Sequence, residues 1–293
     1  MKHSVMNPLD LVNLTALMEL TSGKSEITVG LIDGPVVMNH PDLAGENIRQ
    51  ISGKLAGTCA QASSVACMHG TFVAGILSAK RNSAAPAICP NCTLLVRPFF
   101  AETAPMNGKM PTATPQQLAE AIIETTDANA RVINLSAALA SPSSKGEHEL
   151  EAALDYATRR GVIVVVAAGN QGTIGSSAIT RSQSVIPVVA CDLQGRPISQ
   201  SNLGSSIGRR GLSAPGDQII SLGADGKQLT FRGTSAAAPF VTGAIALLWS
   251  EFPTATAAQV KFAMTQAHAP RRTTVVPPLL DAWAAYQMMA RFN

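Results

Sequence analysis

Short apolar runs alternate with amphipathic segments along most of the chain. The apolar runs predict strands over residues 26–33, 93–99, 131–135, 162–168 and 185–190. The amphipathic or small-residue segments predict helices over residues 70–79, 116–129, 147–160, 234–251, 256–268 and 279–292. The strand runs are continuous in valine and isoleucine, so the pattern predicts an α/β fold with a mostly parallel sheet covered by helices on both faces.

The first twenty residues predict a docking segment. Residues 9–20 have the spacing of an amphipathic helix, and Asp10, Asn13 and Glu19 interrupt any apolar run that a signal peptide would need. No stretch reaches the roughly 20 apolar residues of a membrane span. We therefore expect no membrane partner and a cytoplasmic location, with residues 1–24 docking on the rest of the chain.

Composition narrows the class of protein. The 293 residues are 46% hydrophobic and 14% charged, with a formal net charge of +3, which is typical of a globular chain. The basic residues form only scattered doublets, whereas a nucleic-acid groove needs them concentrated on one face. The sequence thus predicts no nucleic-acid partner, and it leaves the oligomeric state open.

The five cysteines leave several possibilities open. Cys89 and Cys92 have C-x2-C spacing, but Cys59 and Cys67 do not complete a zinc-binding pattern, and Cys191 stands alone. Disulfides are uncommon in the reducing compartment expected above. Disulfide pairing, free thiols and a metal site all remain possible at this point, although we expect no bound metal.

Four polar residues lie at predicted element ends. Asp33 and Asn170 follow apolar strands, while His69 and Ser235 open predicted helices. Strand carboxyl ends and the amino ends of the following helices share one edge of a parallel sheet, where ligands bind. The four side chains are therefore expected to converge.

These residue types fit nucleophilic catalysis. The hydroxyl of Ser235 needs a base to take its proton, and the imidazole of His69 suits that task. Asp33 is the candidate for orienting His69, and Asn170 with the Ser235 N–H for binding an oxyanion. The remaining histidines are expected at the surface or in a turn: His3, His40, His148 and His268.

A family resemblance follows from these motifs. LIDGPV around Asp33, HGTFVAG at His69, AAGN at Asn170 and GTSAAAP at Ser235 resemble, in this order, the four signatures of the subtilisin-like serine peptidases. The resemblance implies a three-layer α/β/α fold and peptide-bond hydrolysis through an acyl-enzyme, with no cofactor. It implies one peptidase domain over 1–293, with a catalytic core at 25–270 and a C-terminal helix at 271–293.

The resemblance also implies a cleft for an extended peptide or protein substrate. One edge of the cleft would be formed by the stretch around residues 110–113. The other edge would be formed by Leu135, Ser136, Ala137 and Ala138. The pocket for the residue before the scissile bond would be lined by Ala167, Ala168 and Gly169.

Some positions depart from the family pattern. Ala138 replaces a usual glycine, and Phe72 and Phe240 replace common histidines. We find no acidic loop suited to calcium, and the short stretch before Asp33 predicts that no pro-domain precedes the core. The expected absence of a pro-domain and of a signal peptide favours an intracellular or specialised peptidase.

A closer resemblance concerns the first motif. LIDGPVVMNHPDL is similar to the opening of the proteases that process cyanobactin precursor peptides, which implies cleavage of a precursor at a defined sequence. A broad-specificity degradative intracellular subtilase is the alternative. A non-catalytic peptide-binding scaffold is a further one, although such scaffolds usually lack a triad member and none is missing here.

Overall fold

A computed structural model describes residues 6–43, 47–51, 59–100, 102, 114–136, 146–266 and 274–292. The helices are α1 (Pro8–Leu11), α2 (Leu14–Leu20), α3 (Val65–Ser78), α4 (Pro115–Asp127), α5 (Glu147–Arg159), α6 (Ala178–Arg181), α7 (Ser205–Arg210), α8 (Thr234–Glu251), α9 (Ala257–Gln266) and α10 (Ala282–Ala290). The strands are β1 (Thr28–Asp33), β2 (Ile48–Gln50), β3 (Thr93–Pro98), β4 (Val132–Leu135), β5 (Ile163–Ala167), β6 (Val185–Cys191), β7 (Leu212–Pro215), β8 (Ile219–Leu222) and β9 (Gln228–Phe231).

Seven strands form one parallel sheet in the order β2-β3-β1-β4-β5-β6-β7. The strands β8 and β9 form a separate antiparallel hairpin. Strand β5, with the sequence IVVVA, is buried along its whole length, as expected for a central strand covered on both faces. The predicted α/β class with a mostly parallel sheet is confirmed.

Helices cover both faces of the sheet and divide the core in two. Alternate residues of the strands, such as Val165 and Val164 in β5, point to opposite faces. The first face packs against α3 and α8, and the second against α4 and α5. Helix α8 runs through the interior, and Pro239 lies within it without ending it.

The predicted first residues of two helices, α3 and α10, were wrong. The helix expected to open at His69 begins four residues earlier, at Val65, because VACM continues the helical path after the extended residue Ser64. The C-terminal helix begins at Ala282 rather than 279, since the carboxylate of Asp281 caps it by accepting from the N–H of Ala284 at 2.9 Å. Residues 267 and 268 of the helix predicted over 256–268 lie outside the described residues.

The N-terminal segment forms two helices instead of the single one predicted over 9–20. Asn13 adopts a left-handed conformation, with φ of 52° and ψ of 32°, which breaks the helical path between α1 and α2. Val12, Leu14 and Leu17 are fully buried in the core that includes α8. None of the helices in the described part of the chain combines the length and apolarity needed to span a bilayer.

The cysteines divide into one pair and three free thiols. Cys59 and Cys67 form a disulfide, and Cys89, Cys92 and Cys191 are free and buried. A hydrogen bond from the Cys89 thiol lowers the pKa of Cys92 and raises that of Cys89. The C-x2-C pair is therefore a buried dithiol in this structure.

Candidate active site

Asp33 and His69 form a buried pair at the carboxyl edge of the sheet. Asp33 is the last residue of β1 and is fully buried, and His69 is 3% exposed on α3. The imidazole Nδ1 lies 2.6 Å from Asp33 Oδ1. Because the carboxylate accepts a hydrogen bond from Nδ1–H, the proton is held on Nδ1 and the other ring nitrogen, Nε2, is left to act as a base.

Close backbone packing makes room for this pair. A Cβ at Gly70 would lie 2.4 Å from the carbonyl oxygen of Gly34, so α3 approaches the loop after β1 closely. The N–H of Gly34 also donates to Asp33 Oδ1 at 2.6 Å. The second carboxylate oxygen is buried without a hydrogen-bond partner among the described residues. Asp33 thus directs both of these interactions through one oxygen.

An aromatic side chain packs against the imidazole. The ring of Phe231, at the end of β9, meets that of His69 edge to face, with centroids 5.5 Å apart and an angle of 87°. Phe231 also contacts Phe72, one of the phenylalanines that depart from the family pattern, at 5.2 Å. The apolar contacts restrict the orientation of the imidazole.

Ser235 is the second residue of α8. Its side chain is half-buried and lies in the first turn, where free N–H groups and the helix dipole favour negative charge. Its hydroxyl donates to the carbonyl oxygen of Ser136 at 3.3 Å. Within the described ranges, Ser235 makes no side-chain hydrogen bond to His69, so the hydroxyl must turn from Ser136 to reach Nε2. Catalytic hydrogen bonds are often long or misaligned before substrate binds.

The amide of Asn170 is held in one orientation. Its Oδ1 accepts from the N–H of Thr234 at 2.8 Å and from the Thr234 hydroxyl at 3.0 Å. Gly233 has a φ of 139°, and a Cβ there would lie 3.0 Å from the Asn170 amide. With Oδ1 occupied, Nδ2 is the donor available to a ligand.

Those residues expected to bind substrate that the structure describes lie beside the start of α8: the Ser136 carbonyl accepts from Ser235, and the Gly169 N–H donates to the Thr234 hydroxyl. Leu135 ends β4, and Ser136 follows it with 5% exposure. Ala167 ends β5, Ala168 follows, and Gly169 has a φ of 106° that favours glycine. Ala137, Ala138 and residues 110–113 lie outside the described residues.

Asn202 supports this loop and was not singled out from the sequence. Its Nδ2 donates to Ala168 O at 3.3 Å and to Gln171 Oε1 at 2.6 Å, and its Oδ1 accepts from the N–H groups of Gln171 and Thr173. An asparagine in a polar loop carries no local signal for such a role. Its partners are about thirty residues away in the chain.

Comparison with known sequences gives a family for this arrangement. The profile described as the subtilase family matches residues 24–280. A thermophilic serine proteinase of Bacillus sp. (strain AK1) is 34% identical over 239 residues, which is 80% of this chain and 54% of that protein. Subtilisin DY of Bacillus licheniformis is 31% identical over 245 residues, 81% of each chain. The chain thus spans about half the length of the first of these relatives.

Solved structures give the same fold. A point mutant of the protease domain of PatA matches with a TM-score of 0.83 and 28% identity, covering 92% of this chain and 98% of that one. The prenylagaramide maturation protease PagA matches with a TM-score of 0.81 and 27% identity, covering 94% and 98%. The PatG macrocyclase with a bound peptide, at 20% identity and a TM-score of 0.79 over 98% and 99%, shares the fold. The predicted resemblance to precursor-processing proteases is confirmed.

Proposed function

The chain belongs to the subtilase family, and from that premise we propose that it is a serine endopeptidase acting on peptide or protein substrates through an acyl-enzyme. The observation that carries the proposal is the buried contact of 2.6 Å between His69 and Asp33. An imidazole held this way at the sheet edge is suited to act as the general base for a serine in the first turn of a helix.

The proposed reaction has two halves. In the first half, Ser235 Oγ bonds to the substrate carbonyl carbon while His69 Nε2 takes the hydroxyl proton, and the imidazolium then gives that proton to the departing amine. In the second half, a water molecule loses a proton to His69 and attacks the acyl-enzyme. The proton returns to Ser235 as the acid product leaves. Asp33 stabilises the imidazolium in both halves.

Two donors would stabilise the oxyanion of each tetrahedral intermediate. One is the Asn170 Nδ2, whose amide is fixed by Thr234. The other is the N–H of Ser235, which lies in the first turn of α8 and therefore has no partner within the helix. Donors fixed before the reaction cost no reorganisation when the charge develops.

The proposed substrate is a precursor peptide cut at a defined sequence. This proposal is supported by the likeness to PatA and PagA, of which PagA is named a maturation protease. The second candidate is broad degradative cleavage, because the same reacting groups would serve either class of substrate. The substrate edge would include Leu135 and Ser136, and the pocket would include Ala168 and Gly169.

A serine-reactive fluorophosphonate tests the chemistry. We expect wild type and Ser176→Ala, which alters an exposed serine, to take up one label at Ser235 and to cleave peptides. We expect Ser235→Ala to fold, to remain unlabelled and to lose activity by several orders of magnitude. Peptidase activity of Ser235→Ala equal to wild type would refute the proposal.

A digest of a random peptide library, read by mass spectrometry, tests the substrate class. One narrow cleavage motif is expected for a processing protease. Cleavage at many unrelated sequences would favour the degradative alternative and leave the chemistry in place.

A further inference from the structure

Asn134 is a polar residue in a core position. It is the third residue of β4 and is fully buried on the sheet face that carries Val132 and packs against α8. Burying an amide costs free energy unless its polar atoms are hydrogen-bonded. A valine or isoleucine would fill this position without that cost, so the amide calls for a specific explanation.

Two hydroxyl groups satisfy the amide. The Thr242 hydroxyl donates to Asn134 Oδ1 at 2.9 Å, and Asn134 Nδ2 donates to Ser136 Oγ at 2.8 Å. All three residues are buried. The contacts tie the end of β4 to the middle of α8.

The same two elements meet again at the nucleophile. Thr242 lies seven residues after Ser235, which is two helical turns, so both residues face β4 from one side of α8. The Ser235 hydroxyl donates to the carbonyl of Ser136, the residue whose side chain Asn134 holds. The connections therefore close a ring that runs from Ser235 through Ser136, Asn134 and Thr242 back to α8.

We infer that Asn134 and Thr242 are positioning residues for the nucleophile, an inference that rests on the proposed function. They hold Ser136 in place, and the Ser136 carbonyl fixes the resting position from which the Ser235 hydroxyl turns to His69. When Ser136 is held less firmly, its carbonyl is displaced from the Ser235 hydroxyl, and the Ser235 side chain then distributes over its staggered rotamers and is less often aligned for attack. The effect falls on the chemical step.

Thr242→Val tests this inference, because valine keeps the shape of threonine and removes only the hydroxyl. Thr125→Val is the matched control: Thr125 is equally buried, and its hydroxyl also bonds a carbonyl four residues earlier, but it lies on α4. With a fluorogenic peptide and the full chain, we expect kcat of Thr242→Val to fall about tenfold with KM within about twofold of wild type. Thr242→Ser, which keeps the hydroxyl, should restore kcat, and Thr125→Val should leave it unchanged.

The outcomes separate the inference from the proposed function. A folded Thr242→Val with wild-type kcat, a change confined to KM, or an equal loss in Thr125→Val would overturn the positioning role. If Thr242→Val fails to fold, Ser136→Ala removes the hydroxyl at the other end of the amide, and an unchanged kcat in that variant would overturn the role as well. A wild-type protein that takes no fluorophosphonate at Ser235 would instead overturn the proposed function, and the inference with it.

Discussion

Replacing Asp33 by asparagine removes a charge and keeps the hydrogen-bond geometry. Asp33 Oδ1 accepts from both the Gly34 N–H and His69 Nδ1, so the amide oxygen of asparagine fits that position. The amide nitrogen then occupies the place of Oδ2, which has no partner among the described residues. Because the Gly34 N–H needs an acceptor at the Oδ1 position, we expect the imidazole to keep its tautomer, so that the variant loses only the attraction between the carboxylate and the imidazolium.

The expected loss of rate follows from the distance between the carboxylate charge and the imidazolium charge. Two charges about 4 Å apart, with an effective dielectric constant of about 20, attract by about 4 kcal/mol, which corresponds to about a 10³-fold fall in rate. We therefore expect Asp33→Asn to lower kcat about 10³-fold with KM nearly unchanged. Asp33→Ala also removes the acceptor for Nδ1–H and should lose about a further tenfold.

Steady-state kinetics with one fluorogenic peptide, on variants whose cooperative unfolding has been verified, gives these values. A folded Asp33→Asn within tenfold of the wild-type kcat would show that the charge on residue 33 contributes little to the reaction. A kcat of Asp33→Asn below that of Asp33→Ala would show that the amide does not keep the acceptor arrangement.

Other contacts give predictions of the same kind. Thr234→Val removes one of the two donors to Asn170 Oδ1, so kcat should fall about tenfold while Thr234→Ser keeps it; equal values for the two variants would contradict the role of the hydroxyl. Gly169→Ala would place a Cβ 2.3 Å from a neighbouring amide nitrogen, whereas Gly161→Ala, also at positive φ, meets no atom within 4 Å. Urea denaturation should therefore show a larger loss of unfolding free energy for Gly169→Ala, by about 2 kcal/mol, and equal losses would exclude the contact as the cause. Burial raises the pKa of Cys191 to about 12, so iodoacetamide at pH 8 should modify it only in urea; modification of the native protein, detected by mass spectrometry, would contradict this.

The hydrophobic pattern of the sequence predicted the fold class, because the apolar positions of each segment are the ones that the fold buries. The continuous valine run of β5 indicates a strand buried on both faces, and the small-residue stretch of α8 indicates a closely packed helix, as the structure shows. The break at Asn13 and the early start of α3 at Val65 were missed, because asparagine adopts the left-handed conformation only at some positions and a short apolar run such as VACM fits more than one secondary structure.

The candidate site was predictable only in part. The placement of polar residues at element ends suggested which side chains could meet, and the structure brings Asp33 and His69 into contact. The resting bond from Ser235 to Ser136 spans 99 residues, and the bond from Thr242 to Asn134 spans 108. Contacts between such distant residues depend on the exact packing of α8 on the sheet, which a single sequence does not specify.

The two ends of the chain support each other, and this bears on how the protein can be trimmed. The N–H of Ala282, at the start of α10, donates to the carbonyl of Val12 at 3.0 Å, and the guanidinium of Arg81 donates to the carbonyls of Met18 and Thr21 in the N-terminal segment. A fragment limited to residues 24–280, the region that the family profile matches, would lack both terminal segments and would expose the core residues that they cover. Each fully buried valine or leucine contributes about 2 kcal/mol, so the loss of Val12, Leu14 and Leu17 alone costs about 6 kcal/mol, which is comparable to the lower end of the stability of an ordinary domain, about 5 kcal/mol. The limits of the family match are therefore a poor guide to the shortest fragment of this chain that folds stably.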